Sequence, residues 1–282
     1  MLEKYFEDEV RDGFYVPSMI KRSWAVALDV LSEVDRICRK YDIKYYAEWG
    51  TLLGAVRHAG FVPWDDDLDI AMPRNDYIKF CQVAKQELKN GYEIFNFKNH
   101  DNFHHFLARV TCTSRICFED KYLKEHYGFP YIAGLDIFVH DNVSRDRKNQ
   151  EHCEKIAEYI ITVADNIADG SMNSEQEKDA LKRISQLCNC DVSAYQNKEE
   201  ERIQLYTLAE NIFAAFKDDD CDEMTQMMPC SMYGNHMRIP KKYYDEVVRI
   251  PFENTTIPVP IGFDAMLSKR YGDYMKLERN TG

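Results

Sequence analysis

The sequence predicts an α/β (α+β) fold, with a mixed β-sheet core flanked by helices and a mostly helical C-terminal half. Two observations support this. Within residues 18–140, short apolar segments with strand-like alternation are separated by segments with helical spacing. After about residue 145, three long stretches have helical periodicity. No repeat or low-complexity linker divides the chain, so we expect a single compact unit over 1–282, with the core in 18–140 and the helical region 141–282 packed on it.

The individual elements follow from periodicity and from the positions of glycine and proline. Helices are expected at 18–41, 52–57, 76–88, 145–166, 175–189, 199–216 and 263–271. Strands are expected at 43–49, 68–72, 92–97, 105–111, 115–118 and 131–139, and an extended hairpin at 247–260. Residues 218–236 are polar and rich in methionine, which predicts a loop.

Composition excludes several classes of protein. Lysine and arginine total 36 against 48 aspartates and glutamates, a net charge of −12, which argues against a nucleic-acid binder because such proteins need clustered cations. No apolar stretch approaches the 18–20 residues that span a bilayer, and the charged N-terminus does not resemble a secretory signal. Nine cysteines without zinc-site spacing indicate free thiols in a reducing compartment. We therefore expect a cytoplasmic protein.

An acidic run, Trp64-Asp65-Asp66-Asp67-Leu68-Asp69-Ile70, is the strongest feature of the sequence. Four carboxylates within five residues repel one another unless a cation lies among them. Asp67 and Asp69 alternate with apolar residues, so on a strand both carboxylates would face the same side, about 7 Å apart. Oxygen ligands in that arrangement suit hard divalent cations. A solvated loop is the alternative, as we expect for the acidic run at 218–220.

Two further positions extend this pattern. Asp136 lies inside an apolar strand, where an unpaired charge is costly to bury, so it is a candidate third carboxylate; an ordinary edge-strand aspartate is the alternative. Gly50 and Thr51 follow Trp49 where a strand is expected to turn into a helix, and the backbone N–H groups of such a turn can hold a phosphate. A simple helix cap is the alternative there.

The order of these motifs resembles the nucleotidyltransferase superfamily, and the 28 residues from Gly50 to Tyr77 resemble the signature block of the LicD family of phosphocholine transferases, to which fukutin-type proteins are related. Shorter pieces at 134–138, 257–260 and 271–275 are also similar, so the resemblance covers about residues 18–277. The sequence departs from the family pattern after Phe138 and after Met275, where proline-containing pairs are expected. These departures concern the identity of the substrate more than the chemistry.

The resemblance implies a nucleotidyltransferase-like catalytic core in 18–140 and a phosphotransferase of the LicD type. Such an enzyme moves phosphocholine, or a similar phospho-alcohol, from a CDP-linked donor such as CDP-choline to a sugar hydroxyl of a cell-surface glycan or glycolipid, whether lipopolysaccharide, teichoic acid or capsule. Mg²⁺ or Mn²⁺ held by Asp67, Asp69 and Asp136 would neutralise the charge on the phosphoryl oxygens. Asp136 is either a further ligand or the base for the acceptor hydroxyl. Gly50 and Thr51 would hold a donor phosphate.

Other residues near these motifs have open roles. Arg57, His58 and Arg109 are candidates for binding the donor phosphates, with a surface helix end or a structural ion pair as the alternative. Asp65, Asp66 and Trp64 are candidates for supporting the metal ligands from outside. One of the two aspartates would bind a second metal or an outer-shell water, with a hydrogen bond to the loop backbone as the alternative; Trp64 would stack on cytosine or a choline-like cation, with core packing as the alternative. We expect no nucleic-acid partner, no transmembrane segment, and peripheral association with the membrane face where glycan is assembled. The alternative functions are transfer of a nucleoside monophosphate from an NTP and a non-catalytic binding protein on the same fold.

Overall fold

The computed structural model describes residues 3–101, 103–192, 197–226 and 237–277. Its internal contacts divide the chain into two units, both built from separate segments. The first comprises Met1–Phe95, Leu107–Val139 and Lys242–Gly282, and the second comprises Asn96–Phe106 and His140–Lys241. The acidic run and every candidate site residue from the sequence lie in the first unit.

The elements are numbered along the chain. The helices are α1 (Ser18–Tyr41), α2 (Trp49–His58), α3 (Arg74–Glu87), α4 (Asp120–Glu125), α5 (Arg147–Ala168), α6 (Ser174–Cys188), α7 (Lys198–Phe213) and α8 (Phe263–Tyr271). The strands are β1 (Glu9–Arg11), β2 (Phe14–Val16), β3 (Tyr46–Ala47), β4 (Asp69–Pro73), β5 (Glu93–Phe95), β6 (Leu107–Thr111), β7 (Gly134–Ser144), β8 (Cys221–Thr225), β9 (Ile239–Pro240), β10 (Val247–Phe252) and β11 (Thr255–Pro260).

The first unit is built on a mixed set of short strands in the order β3-β4-β7-β6-β5. The pairs β3–β4, β5–β6 and β6–β7 are antiparallel. The Asp136 N–H donates to the Leu68 carbonyl at 2.8 Å, and Asp136 lies directly opposite Arg109 in the β6–β7 register. This pairing brings the end of the acidic run beside the strand that carries Asp136, although 67 residues separate Asp136 from Asp69 along the chain.

Helix α1 supplies much of the core of the first unit. Its apolar residues recur at helical spacing, and Trp24, Leu28, Leu31 and Val34 are at most 2% exposed. Arg39 and Lys40 in the last turn are favourable at the negative end of the helix dipole. The helix ends at Asp42, whose φ of 49° is left-handed. Burial of one face of this 24-residue helix fixes the layer against which the site is built.

The second unit packs three helices around its own apolar cluster, which includes Ile160, Ala164, Ile184 and Leu205. Asn173 forms a capping box with Gln176 at the start of α6, satisfying backbone donors that would otherwise be unpaired. The last residues of β7 pair antiparallel with β8, which pairs with β9.

The α+β fold class predicted from the sequence is confirmed, as are most helices and strands. The strand expected at 115–118 is wrong, because those residues have no strand pairing. The loop expected at 218–236 contains β8, and residues 227–236 lie outside the described residues. The strand expected at 43–49 is only two residues long, and the hairpin β1–β2 was not expected.

The cysteines and the hydropathy of the helices were also subjects of prediction. The eight cysteines in the described residues are free thiols, and Cys230 lies outside them. Within the described residues, no helix has the length and apolar character needed to cross a membrane.

Candidate active site

The acidic loop, residues 65–68, joins α2 to β4 and is held by its backbone. The Asp65 N–H donates to the Val62 carbonyl at 3.0 Å, and the indole Nε1–H of Trp24 donates to the Asp65 carbonyl at 2.8 Å. Trp24 is itself fixed in the core, because its ring stacks on Phe61 with centroids 4.8 Å apart. One carboxylate oxygen from each of Asp65, Asp66 and Asp67 lies within 4.8 Å of the others. Contacts with the core therefore fix the backbone of Asp65 in the loop that carries the three carboxylates.

Asp69 begins β4 and is tied to the start of α2 by two backbone contacts. Its N–H donates to the Thr51 Oγ1 at 2.8 Å, and its carbonyl accepts the Glu48 N–H at 3.0 Å. Because β4 begins at Asp69, Asp67 belongs to the loop, so the prediction that both lie on one strand is wrong. Thr51 is 3% exposed, and its hydroxyl positions Asp69. Binding of a donor phosphate by Thr51 stays a prediction.

Gly50 lies in the first turn of α2, which begins at Trp49 and so includes the Gly-Thr pair that we expected to precede it. A Cβ at this position would lie 2.1 Å from the Asp65 Oδ2, far inside van der Waals contact. The absence of a side chain therefore lets the Asp65 carboxylate approach the helix backbone. The structure gives Gly50 this steric role, and its predicted contact with a phosphate is a separate hypothesis.

Arg109 and Asp136 form a bidentate ion pair across β6 and β7. Arg109 Nε lies 2.5 Å from Asp136 Oδ1, and Arg109 Nη2 lies 2.7 Å from Oδ2. The hydrogen bond to Asp136 raises the pKa of Arg109, and the charges of Asp67 and Asp69 add to this effect. Both residues line a cavity of about 470 Å³, which Asp66 and Asp67 also line. The structure therefore brings the acidic loop, Asp136 and Arg109 to one cavity.

The carboxylates of Asp65, Asp67, Asp69 and Asp136 lie close enough to repel one another. Burial raises the pKa of Asp69 to about 9, with further contributions from Asp67, Asp136, Asp65 and Glu48. Burial and a hydrogen bond to Asp67 raise the pKa of Asp65 to about 7. These carboxyls hold protons at pH values at which an ordinary aspartate is ionised. A cation among them would relieve the repulsion.

The donor set fits a hard divalent cation. Mg²⁺ binds carboxylate oxygens at about 2.0–2.1 Å and Ca²⁺ at about 2.3–2.6 Å, so opposite ligands lie about 4–5 Å apart. The oxygens of Asp65, Asp66 and Asp67 are within 4.8 Å of one another, which matches that spacing. This cluster includes Asp67 from the predicted set. Asp69 and Asp136 lie near enough to influence it, and their predicted coordination of metal remains a prediction.

Comparison with known proteins agrees with this geometry. Residues 42–164 match the family model described as LicD/FKTN/FKRP, nucleotidyltransferase domain. The resemblance predicted from the sequence is thereby confirmed, and the LicD match contains every candidate site residue from Gly50 to Asp136.

Three relatives place the LicD match in context. The chain is 26% identical to the lipopolysaccharide cholinephosphotransferase LicD of Haemophilus influenzae over 261 residues, which cover 92% of each protein. An uncharacterized protein of Rickettsia typhi is 46% identical over 65 residues, covering 23% of this chain and 21% of that protein. One of Rickettsia prowazekii is 43% identical over 65 residues, covering 23% and 24%.

Three of the candidate residues, Arg57, His58 and Trp64, lie at or just after the C-terminal end of α2 and contact other parts of the first unit. Arg57 Nη1 donates to the Tyr274 carbonyl at 2.8 Å, and its Nε donates to His58 Nε2 at 2.9 Å. His58 Nδ1 lies 2.8 Å from Asp12 Oδ2, and burial together with Arg57 lowers its pKa. The Trp64 ring packs against Phe14 at a tilt of 44°, with ring centroids 4.2 Å apart. The contact between His58 and Asp12 joins α2 to the hairpin β1–β2. Donor binding by Arg57 and His58 stays a prediction.

A buried ion pair next to Gly50 and Thr51 was not predicted from the sequence. Glu48 is fully buried and pairs with Arg270 of α8, whose side chain is nine-tenths buried. The Arg270 Cζ lies 4.1 Å from the centroid of the Trp49 ring. Burial raises the pKa of the adjacent Tyr271, and the charges of Glu48, Asp69 and Asp65 contribute. The partners are 222 residues apart, so no local pattern in the sequence could have indicated this pair.

Proposed function

We propose that this chain is a divalent-metal-dependent transferase that moves phosphocholine, or a similar phospho-alcohol, from a CDP-linked donor to a sugar hydroxyl of a cell-surface glycan. The observation that carries the proposal is the carboxylate cluster of Asp65, Asp66 and Asp67, held beside Asp136 and Arg109 at one cavity. The match of 92% of the chain to a lipopolysaccharide cholinephosphotransferase supports the chemistry. CDP-choline is the donor we expect.

Asp65, Asp66 and Asp67 are the residues best placed to hold the metal, with Asp69 and Asp136 as further candidates. A bound Mg²⁺ or Mn²⁺ would neutralise charge that develops on the phosphoryl oxygens of the donor. The backbone contacts of Asp65 and Asp69 fix the loop before substrate arrives, so little reorganisation is needed on binding.

Arg109 supplies a fixed positive charge on the same wall of the cavity. Its guanidinium is planar and always protonated, which suits it to contact phosphate oxygens while Asp136 orients it from the neighbouring strand. In this proposal a carboxylate oxygen of Asp136 accepts the proton of the attacking sugar hydroxyl. Metal coordination by Asp136 is the other role that the sequence suggests.

We also propose that the reaction occurs in the cytoplasm, at the membrane face where the glycan is assembled. The name of the Haemophilus relative, a lipopolysaccharide cholinephosphotransferase, supports a glycolipid acceptor. Lipopolysaccharide, teichoic acid and capsule are the acceptor classes to compare.

A ligand-binding comparison tests the donor class. The thermal midpoint of the purified chain would be measured with Mg²⁺ and each of CDP-choline, CDP-ethanolamine, CDP-glycerol and the four NTPs. We expect stabilisation by at least one CDP-alcohol, and release of CMP from it when a glycan acceptor is added. Stabilisation by NTPs alone would contradict the proposal and favour transfer of a nucleoside monophosphate instead.

The site assignment has a matched control within the chain. Asp67→Asn combined with Asp69→Asn removes one carboxyl of the acidic loop and the carboxyl that begins β4, and we expect it to abolish turnover without unfolding the chain. Asp219→Asn combined with Asp220→Asn removes two charges from an exposed acidic turn of the second unit and should leave turnover unchanged. Equal activity of the two double variants would overturn the assignment.

A further inference from the structure

Two chemically different sets of residues, named below the polar wall and the apolar wall, line the cavity that Asp66, Asp67 and Asp136 share. Asp66, Asp67, Asp136 and Arg109 form the polar wall. An apolar wall is formed by Met19 at the start of α1 and by residues of the segment that precedes β7, namely Phe129, Tyr131 and Ile132. A volume of about 470 Å³ is within the range of small-molecule sites.

The polar wall is equipped for a phosphoryl group. Thr111 lies two residues after Arg109 on β6, so both residues share one face of the strand. Thr111 is 2% exposed, lines the cavity, and its Oγ1 has no hydrogen-bond partner among the described residues. A buried hydroxyl of this kind gains a partner when a phosphoryl oxygen enters the cavity. The reacting end of a donor is therefore placed at this wall.

The apolar wall is open to a ligand and yet ordered. Met19, Tyr131 and Ile132 are each 43–46% exposed, an unusual exposure for large apolar residues beside a charged cluster. The Tyr131 ring makes edge contacts with Phe129 and Phe118, at centroid distances of 5.5 and 6.3 Å. These two aromatic contacts restrict the position of the ring. Tyr131 is therefore an accessible aromatic ring on the lining of the cavity that Asp66, Asp67 and Asp136 also line.

We propose that this apolar wall, with Tyr131 at its centre, receives the trimethylammonium headgroup of the donor and selects choline over polyol headgroups. The inference rests on the proposed function, since it concerns the group transferred at the same site. A quaternary ammonium makes no hydrogen bonds and is attracted both to the faces of aromatic rings and to carboxylates. The hydroxyls of a glycerol or ribitol headgroup would lose water against this wall without gaining partners, so polyol donors bind more weakly.

Binding measurements on the full chain test this inference. Dissociation constants would be measured calorimetrically with Mg²⁺ for CMP, CDP-glycerol and the series from CDP-ethanolamine through its mono- and dimethyl forms to CDP-choline. We expect affinity to rise with each methyl group and CDP-choline to bind at least tenfold more tightly than CDP-glycerol. Tyr131→Ala should reduce that ratio to below threefold while CMP affinity stays within twofold. Tyr131→Phe should retain the ratio, because the aromatic face remains.

A surface tyrosine provides the matched control. Tyr15 of β2 is 65% exposed and does not line the cavity, so Tyr15→Ala should leave every dissociation constant unchanged. Equal affinities for CDP-choline and CDP-glycerol in the wild-type chain, or a parallel loss of CMP affinity in Tyr131→Ala, would overturn the inference while leaving the proposed function intact. Failure of CMP and every CDP compound to bind would overturn the proposed function, and this inference with it.

Discussion

Replacing Gly50 with alanine should lower turnover and Mg²⁺ affinity while leaving the free energy of unfolding nearly unchanged. The new methyl group would lie 2.1 Å from Asp65 Oδ2, whereas ordinary contact begins at 3.4 Å, so that oxygen must move by about 1.3 Å. A displacement of about 1 Å at a catalytic group can cost about 100-fold in rate. Disturbing a residue at or next to a metal ligand typically costs about 10–100-fold in metal affinity.

The stability of the same variant should change little. Alanine is favoured over glycine in a helix by up to about 1 kcal/mol. Rotation of the Asp65 side chain away from its preferred conformation costs about 0.5–1.5 kcal/mol. These two effects nearly cancel, so we expect the free energy of unfolding to stay within about 1 kcal/mol of the wild type, while turnover falls about 100-fold.

Gly54, one turn later in α2, is the control. A Cβ there would lie 2.3 Å from the Gly60 carbonyl oxygen, which is backbone and cannot rotate away. Gly54→Ala should therefore lower the free energy of unfolding by about 1–3 kcal/mol, as overpacking does. Urea denaturation, Mg²⁺ titration and CMP release would be measured for both variants. Full activity and full Mg²⁺ affinity in Gly50→Ala would refute the idea that the close approach of Asp65 matters to the site.

Three further predictions concern the charges of the site. Mg²⁺ should raise the thermal midpoint of the wild type but not of the Asp67→Asn, Asp69→Asn double variant, which should melt higher than the metal-free wild type because repulsion is removed; scanning calorimetry with and without EDTA checks both points. Arg109→Lys should lower turnover at least tenfold with an unchanged fold, since lysine keeps the charge but loses the bidentate geometry; wild-type turnover would contradict this. Glu48→Gln should lower the free energy of unfolding by about 3–5 kcal/mol, because a buried arginine loses its counter-charge; an unchanged urea midpoint would show that the pair is not structural.

Local patterns predicted the long helices, because their periodicity and caps are contained in neighbouring residues. They failed for elements that depend on distant partners. The strand expected at 115–118 has the right composition but no neighbouring strand to pair with, and β8 forms within a polar segment because β7 and β9 lie on either side of it.

In the candidate site, too, features set by neighbouring residues could be predicted and features set by distant residues could not. The acidic run is evident from the sequence, and a structural ion pair is one of the two roles that the sequence suggests for Arg109, but only the structure identifies Asp136 as its partner. The Glu48–Arg270 pair and the steric role of Gly50 could not be predicted. The first joins residues far apart in the chain, and the second depends on the position of the Asp65 side chain. Thr51 was predicted in part. The sequence places it just before α2, and it lies in the first turn of that helix, but its hydroxyl accepts a hydrogen bond from the Asp69 N–H, which the sequence did not indicate.

The central claim is that the carboxylate cluster catalyses phosphocholine transfer from CDP-choline. The most direct test is ³¹P NMR of the purified chain with CDP-choline, Mg²⁺ and lipopolysaccharide of Haemophilus influenzae that carries no phosphocholine. The account predicts equal amounts of CMP and a new glycan phosphodiester signal, both absent with EDTA and in the Asp67→Asn, Asp69→Asn variant. Phosphodiester formation that persists in that variant would contradict this proposal, as would donor consumption that yields a cytidylyl-glycan and free phosphocholine in place of CMP.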